Sequence, residues 1–225
     1  MEFEKIQSVL LLFECPFPNE KQYKIQQGGG GTVYSQDTLD EICRVARERD
    51  CKLHMDGARL FNAAVASGTD PARIVRDFDT VSICLSKGLG APVGSVLVGS
   101  KADLAEAHRW RKMFGGGMRQ AGVIASAGIY ALENNIERLG EDHKRARKFA
   151  ESLETIPAFS VDLETVQSNI VFIGVEKGSA KGMVSEISKH GVEILDTDDS
   201  TIRAVFHLHI TDNDVEKAIE AFTQI

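Results

Sequence analysis

The chain has 225 residues, and 43% of them are hydrophobic, which is enough to bury the core of one or two domains. Its net charge of -7 and the lack of any Lys/Arg run argue against nucleic-acid binding. The apolar run at residues 9–13 is too short to span a bilayer and no small-residue cleavage site follows it, so we expect a cytoplasmic protein without a membrane partner.

The four cysteines are predicted to be free thiols. No two of Cys15, Cys43, Cys51 and Cys84 have CxxC spacing, and no histidine lies at metal-ligand spacing from them. Free thiols are usual in a reducing compartment. The histidines form no HExxH pair, so we expect no metal site.

Residues 14–31 are predicted to be irregular, and the glycine run at 28–31 lacks the spacing of a phosphate-binding loop. A helix follows, with Ser35 as its N-cap and an apolar stripe at every third or fourth residue. That stripe comprises Leu39, Ile42, Val45 and Ala46.

Short strands and helices are then predicted to alternate along the rest of the chain. The expected strands are 52–55, 80–85, 95–98, 159–161, 170–175, 192–195 and 202–206. The expected helices are 60–66, 71–76, 101–113, about 119–155 with a break near 134, 180–190 and 212–223. Thr211 and Asp214 resemble a capping box for the last helix, and His207 and His209 are expected to alternate on a strand. This alternation is typical of an α/β protein.

Two residues with reactive side chains follow neighbouring predicted strands. Asp56 ends the first of these strands, and Lys87 follows the second within a glycine-rich turn. In open α/β sheets, ligands bind at the carboxyl ends of the strands, so a carboxylate and an amine could share one crevice. Such a lysine can anchor pyridoxal phosphate (PLP), and an acid can keep the cofactor ring protonated. The alternative is a surface lysine and a helix-capping aspartate.

Two arginines and one lysine could belong to the same site, and each also has an alternative interpretation. Arg59 could hold an anionic group of a ligand by a forked contact, or it could form a surface ion pair. Lys112 and Arg119 could border the same crevice, or they could be solvated cations.

Three motifs in order resemble the low-specificity L-threonine aldolases. These are HMDGARLFNA at 54–63, SICLSKGLGAPVGS at 82–95 and RWRKMFGGGMRQ at 109–120. The resemblance extends from about residue 28 to the C-terminus. It implies a PLP-dependent α/β enzyme of fold type I, in the group of aromatic amino-acid β-eliminating lyases and threonine aldolases.

The resemblance also implies a domain organisation. We expect a non-matching segment at 1–27, part of the PLP-binding large domain with a mainly parallel sheet at 28–145, and a smaller α/β domain at 146–225. The front portion of the family, with its phosphate pocket and ring-stacking histidine, has no expected counterpart, so the chain is expected to be truncated relative to the family.

The resemblance assigns roles to individual residues. Lys87 is implied to be the catalytic lysine that binds PLP, with Asp56 at the pyridine nitrogen and Arg59 at the 3-hydroxyl group. The residues implied to bind the substrate are Arg203, Arg119 and Lys112.

The implied reaction is the cleavage of L-threonine, allo-threonine or a similar small β-hydroxy-α-amino acid to glycine and an aldehyde. The family implies a homo-oligomer, either dimer or tetramer. Two alternatives remain open: another β-eliminating lyase of fold type I, and a catalytically silent remnant that pairs with a full-length subunit.

Overall fold

A computed structural model describes residues 31–225 of the chain. The apolar run at 9–13, Cys15 and most of the glycine run therefore lie outside the described residues. The described chain divides into two compact units: a first unit of Tyr34–Ile136, and a second unit of Glu137–Ile225 together with residues 31–33. The domain limits expected from the sequence stay predictions.

The first unit consists of three strands and five helices in the described residues. In chain order they are α1 (Gln36–Arg47), β1 (His54–Asp56), α2 (Leu60–Ser67), α3 (Pro71–Ile74), β2 (Thr80–Cys84), β3 (Ser95–Gly99), α4 (Lys101–Met113) and α5 (Gly122–Asn134). All of the elements predicted for this region are present, with ends that shift by a few residues.

Local interactions explain where the first helices begin. The Ser35 hydroxyl accepts a hydrogen bond from the Thr38 N–H at 3.2 Å, as expected of an N-cap. Of the predicted stripe of α1, Leu39 is buried and the other three residues are half-buried, and Cys43 is buried beside them. Pro71 opens α3, where its missing N–H costs no helical hydrogen bond.

The sheet of the first unit has the order β1-β2-β3. Strand β1 runs parallel to β2, with Asp56 in register with Ser82, and β3 runs antiparallel to β2. The unit is therefore α/β, as predicted, and its described sheet contains one parallel and one antiparallel pair.

The long helical stretch predicted for about 119–155 is two helices. The first, α5, ends at Asn134, and the next, α6, begins at Leu139. Asn135 is the C-terminal cap of α5, and its N–H donates to the Ala131 carbonyl. The break predicted near residue 134 is confirmed.

The second unit is a four-stranded antiparallel sheet with helices. Its elements are α6 (Leu139–Leu153), β4 (Phe159–Ser160), β5 (Ile170–Val175), α7 (Ala180–Lys189), β6 (Leu195–Asp198), β7 (Thr201–Val205) and α8 (Asp212–Thr223). The strand order is β4-β5-β7-β6. Its core contains an aromatic cluster in which Phe222 contacts Phe149 and Phe159, with ring centroids 5.1 and 4.8 Å apart.

Two predictions about the second unit were wrong. The strand expected at 192–195 lies at Leu195–Asp198, where all four residues are exposed and no apolar alternation marks the sequence. His207 and His209 lie after the end of β7, in a turn in which the His209 N–H donates to His207 Nδ1 at 3.3 Å. No helix among residues 31–225 has the length and apolar character needed to cross a bilayer.

The capping box predicted for the last helix is confirmed and has a measurable consequence. The Thr211 hydroxyl accepts from the Asp214 N–H, and the Asp214 carboxylate accepts from the Thr211 N–H. Because Thr211→Ala leaves the first turn of α8 uncapped, we expect it to lower the free energy of unfolding by about 1 kcal/mol. Urea denaturation followed by circular dichroism measures this change. Thr223→Ala, in the last turn of the same helix, is the control and should cost less than about 0.5 kcal/mol; equal losses would contradict the prediction.

Candidate active site

The residues Asp56 and Lys87 follow the carboxyl ends of two hydrogen-bonded parallel strands. Asp56 ends β1 and is in register with Ser82 of β2, and Lys87 comes three residues after β2 ends. Asp56 is exposed and Lys87 is half-buried. The structure therefore places both residues at one edge of the sheet of the first unit, as the sequence predicted from the strand ends.

Gly57 lets the chain after β1 pass close to β2. A Cβ atom at this position would lie 2.9 Å from the Ser82 carbonyl oxygen and 3.0 Å from Val81 Cγ1, so no side chain fits. The Asp56 carboxylate accepts a hydrogen bond from the Ala58 N–H at 3.2 Å, which shapes the turn into α2. Arg59 ends this turn and is half-buried at the start of α2.

Polar side chains of β1 and β2 lie on the face of the sheet that carries Asp56. Residues two apart on a strand share a face, and so do residues in register. His54 Nδ1 lies 2.8 Å from the Thr80 hydroxyl, and the Ser95 hydroxyl donates to Cys84 Sγ at 3.5 Å. This polar row was not predicted from the sequence, although the alternation of polar and apolar residues within β2 indicates it.

The loop that carries Lys87 is closed by its own backbone. The Gly90 N–H donates to the Lys87 carbonyl at 2.9 Å, and the Ala91 N–H donates to the Leu85 carbonyl at 3.0 Å. Gly90 has a φ of +75°, which favours glycine at this position. Leu85 and Leu89 are buried, so the loop is anchored in the core on both sides of the lysine.

The other predicted site residues lie in three places. Lys112 is in the last turn of α4 and Arg119 is in the segment between α4 and α5, and both are exposed. Arg203 belongs to the second unit, where it lies on β7 in register with Phe172 of β5. The Arg203 Nε atom is buried and has no hydrogen-bond partner among the described residues. The roles of these three residues stay predictions.

Burial lowers the pKa of the His54 imidazole below its ordinary value of 6.5, and the charge of Asp56 opposes this shift only in part. The unfolded chain therefore binds the proton more tightly than the folded chain. The contribution of His54 to the free energy of unfolding is therefore fully present above pH 6.5. It is lost as the pH falls through the lower pKa of the folded state. We expect His54→Gln to reduce the loss of stability between pH 7 and pH 5, measured by urea denaturation at both values. The exposed His108 serves as the control position, and an equal effect of His108→Gln would contradict the assignment.

Comparisons with known proteins agree with this geometry. Residues 25–176 match the family model described as β-eliminating lyase. The chain is 40% identical to low-specificity L-threonine aldolase 1 of Arabidopsis thaliana, over 87% of this chain and 55% of that protein. It is 42% identical to the low specificity L-threonine aldolase of Escherichia coli strain K12, over 87% of this chain and 57% of that protein. The chain thus spans about half the length of the curated relatives it matches.

A similar fold occurs in solved structures. A putative aromatic amino acid β-eliminating lyase/threonine aldolase from Exiguobacterium sp. 255-15 superposes with a TM-score of 0.73. The match covers 88% of this chain and 59% of that one, at 24% identity. A putative L-allo-threonine aldolase from Listeria monocytogenes gives the same TM-score at 22% identity. At this identity the likeness establishes the α/β fold.

Proposed function

The chain belongs to the β-eliminating lyase family, and from this premise we propose that it acts as a PLP-dependent carbon–carbon lyase. The proposed substrates are L-threonine, allo-threonine and similar β-hydroxy-α-amino acids, and the products are glycine and an aldehyde. The observation that carries the proposal is the arrangement of Asp56 and Lys87 at the carboxyl ends of two adjacent parallel strands. The threonine aldolases at 40–42% identity support this substrate class over others.

The side chains of the first unit fit the chemistry of PLP. An amine suits the cofactor aldehyde, a carboxylate suits the protonated pyridine nitrogen, and a guanidinium suits the ring oxygen. Lys87, Asp56 and Arg59 supply these three groups. When bound, the cofactor provides an electron sink for the pair of electrons released by the broken Cα–Cβ bond.

Each residue has a separate task in the proposed reaction. Asp56 holds a proton on the pyridine nitrogen, which a carboxylate stabilises through a charge-assisted hydrogen bond. Arg59 would donate a hydrogen bond to the oxygen on the cofactor ring. Lys87 binds the cofactor between turnovers.

Arg203 is proposed to bind the substrate carboxylate. Its buried Nε–H has no hydrogen-bond partner among residues 31–225, which is unfavourable, and a carboxylate would satisfy it. Lys112 and Arg119 are proposed to border the substrate site. Both are exposed cations, which suits an anionic substrate.

We also propose a homo-oligomer, dimer or tetramer, in the cytoplasm. The apolar residues exposed on α5, among them Val123 at 72% and Tyr130 at 63%, support association with another surface. Free thiols at Cys43 and Cys84 support a reducing compartment.

Product analysis tests the proposed reaction. The purified protein is incubated with PLP and L-threonine, and amino acids, aldehydes, 2-oxo acids and ammonia are measured. Glycine and acetaldehyde in equal amounts support the aldolase. A 2-oxo acid with ammonia would instead identify a β-eliminating lyase, and the absence of all products would identify a catalytically silent chain.

A further inference from the structure

One side chain connects the loop that carries Lys87 to the end of α5. Asn135, directly after α5, donates its Nδ2–H to the Leu89 carbonyl oxygen at 2.7 Å. A carbonyl oxygen only accepts hydrogen bonds, so the amino group of the Asn135 amide must face it. The two residues are 46 positions apart in the chain, and Leu89 is two residues from Lys87.

A second contact holds the loop on the other side of the lysine. Helix α5 packs against Leu85 at Gly128, where an added Cβ would lie 2.9 Å from Leu85 Cδ1. Leu85 precedes Lys87 by two residues, and Leu89 follows it by two. Helix α5 thus contacts the loop on both sides of Lys87, once by close packing and once by a hydrogen bond.

We propose that Asn135 is a positioning residue for Lys87. Its hydrogen bond to Leu89 restrains the loop and holds the lysine amine where the aldehyde of a bound cofactor can reach it. Misplacement of a reacting group by about 1 Å can lower the rate on the order of a hundredfold. A restraint two residues away from the lysine can therefore affect the rate measurably. The identity of the aldehyde rests on the proposed function, whereas the restraint of the loop does not.

The neighbouring asparagine provides a matched control. Asn134 donates its Nδ2–H to the Tyr130 carbonyl at 2.9 Å, within its own helix, and is exposed. Asn134→Asp and Asn135→Asp therefore make the same chemical change at adjacent positions, and only the second removes a donor from the Lys87 loop. Asn135→Ala removes the donor without adding charge, in case Asn135→Asp does not fold.

Amide hydrogen exchange of the purified protein is the first readout. We expect faster exchange in peptides that cover residues 85–91 in Asn135→Asp and Asn135→Ala, and unchanged exchange there in Asn134→Asp. Wild-type exchange rates in both Asn135 variants would overturn the proposal, whether or not the chain binds PLP.

Titration with PLP, followed by the absorbance of the lysine-bound cofactor, is the second readout. Well below the melting temperature of each variant, loss of one hydrogen bond should weaken PLP binding by about tenfold in the Asn135 variants. Asn135→Gln, which keeps the amide donor, should recover part of this loss. If wild type binds PLP and the Asn135 variants bind it equally well, the positioning role is wrong. If wild type does not bind PLP, the proposed function fails and hydrogen exchange alone decides whether Asn135 restrains the loop.

Discussion

Lys87→Ala is expected to abolish covalent capture of PLP and to lower the rate of glycine formation by on the order of a thousandfold or more. No other described lysine lies within a few residues after the carboxyl end of either strand of the parallel pair β1 and β2. Lys87→Arg should fail as well, because a guanidinium stays protonated and does not attack an aldehyde. Borohydride reduction after incubation with PLP, followed by peptide mass spectrometry, measures the capture directly.

Lys101→Ala is the matched control for this substitution. Lys101 is an exposed lysine at the start of α4, and its loss changes the net charge by the same amount. This variant should keep both the PLP label on the peptide containing Lys87 and the rate of wild type. If wild type and Lys87→Ala acquire the same label and show the same rates, Lys87 is not the anchoring residue.

Asp142→Ala is expected to lower the free energy of unfolding of the second unit by about 3 kcal/mol or more. The Asp142 side chain is fully buried on α6, and Arg138 contacts it through two hydrogen bonds, the longer of them 3.2 Å. Arg145 Nη1 lies 3.9 Å from the same carboxylate. Removal of the carboxylate leaves the largely buried Arg138 guanidinium without the acceptor of both hydrogen bonds, whereas Arg145 keeps Asp212 at 2.7 Å. The cost of an unpaired buried cation exceeds the loss of one hydrogen bond.

Glu141→Ala is the control, because Glu141 precedes Asp142 and also contacts Arg145, at 3.5 Å. Its side chain is 59% exposed, so its pair is screened by solvent and should contribute less than about 0.5 kcal/mol. The only tryptophan, Trp110, lies in the first unit, so its fluorescence would not report on the second unit. Urea denaturation is therefore followed by circular dichroism. Similar losses in the free energy of unfolding for both variants would show that the buried ion pair contributes no more than the exposed one.

Features that depend on a few neighbouring residues were predicted well from the sequence. The Ser35 cap and the Thr211–Asp214 capping box are confirmed, because each involves contacts within about one helical turn, and Leu39 of the predicted α1 stripe is buried. The placement of Asp56 and Lys87 at strand ends needed only the identification of two strands. Their adjacency followed from a general property of α/β sheets.

Features without a local pattern were not predicted. Strand β6 is exposed along its whole length, so no apolar alternation marked it. The end of β7 was placed too far along the chain because Phe206 continues the apolar alternation, and His207 was therefore assigned to a strand that ends at Val205.

The sequence by itself determined the helix starts, the alternation of strands and helices, and the two residues around which the candidate site is built. Only the tertiary structure decided that Asp142 is buried while the adjacent Glu141 is exposed, and that Asn135 rather than Asn134 reaches the Lys87 loop. In each pair the two residues have the same or similar side chains and the same neighbours, so no pattern of composition separates them. For Asn135 the difference arises because the path of the chain brings the distant Leu89 against it, and for Asp142 because its side of α6 is buried while Glu141 faces solvent.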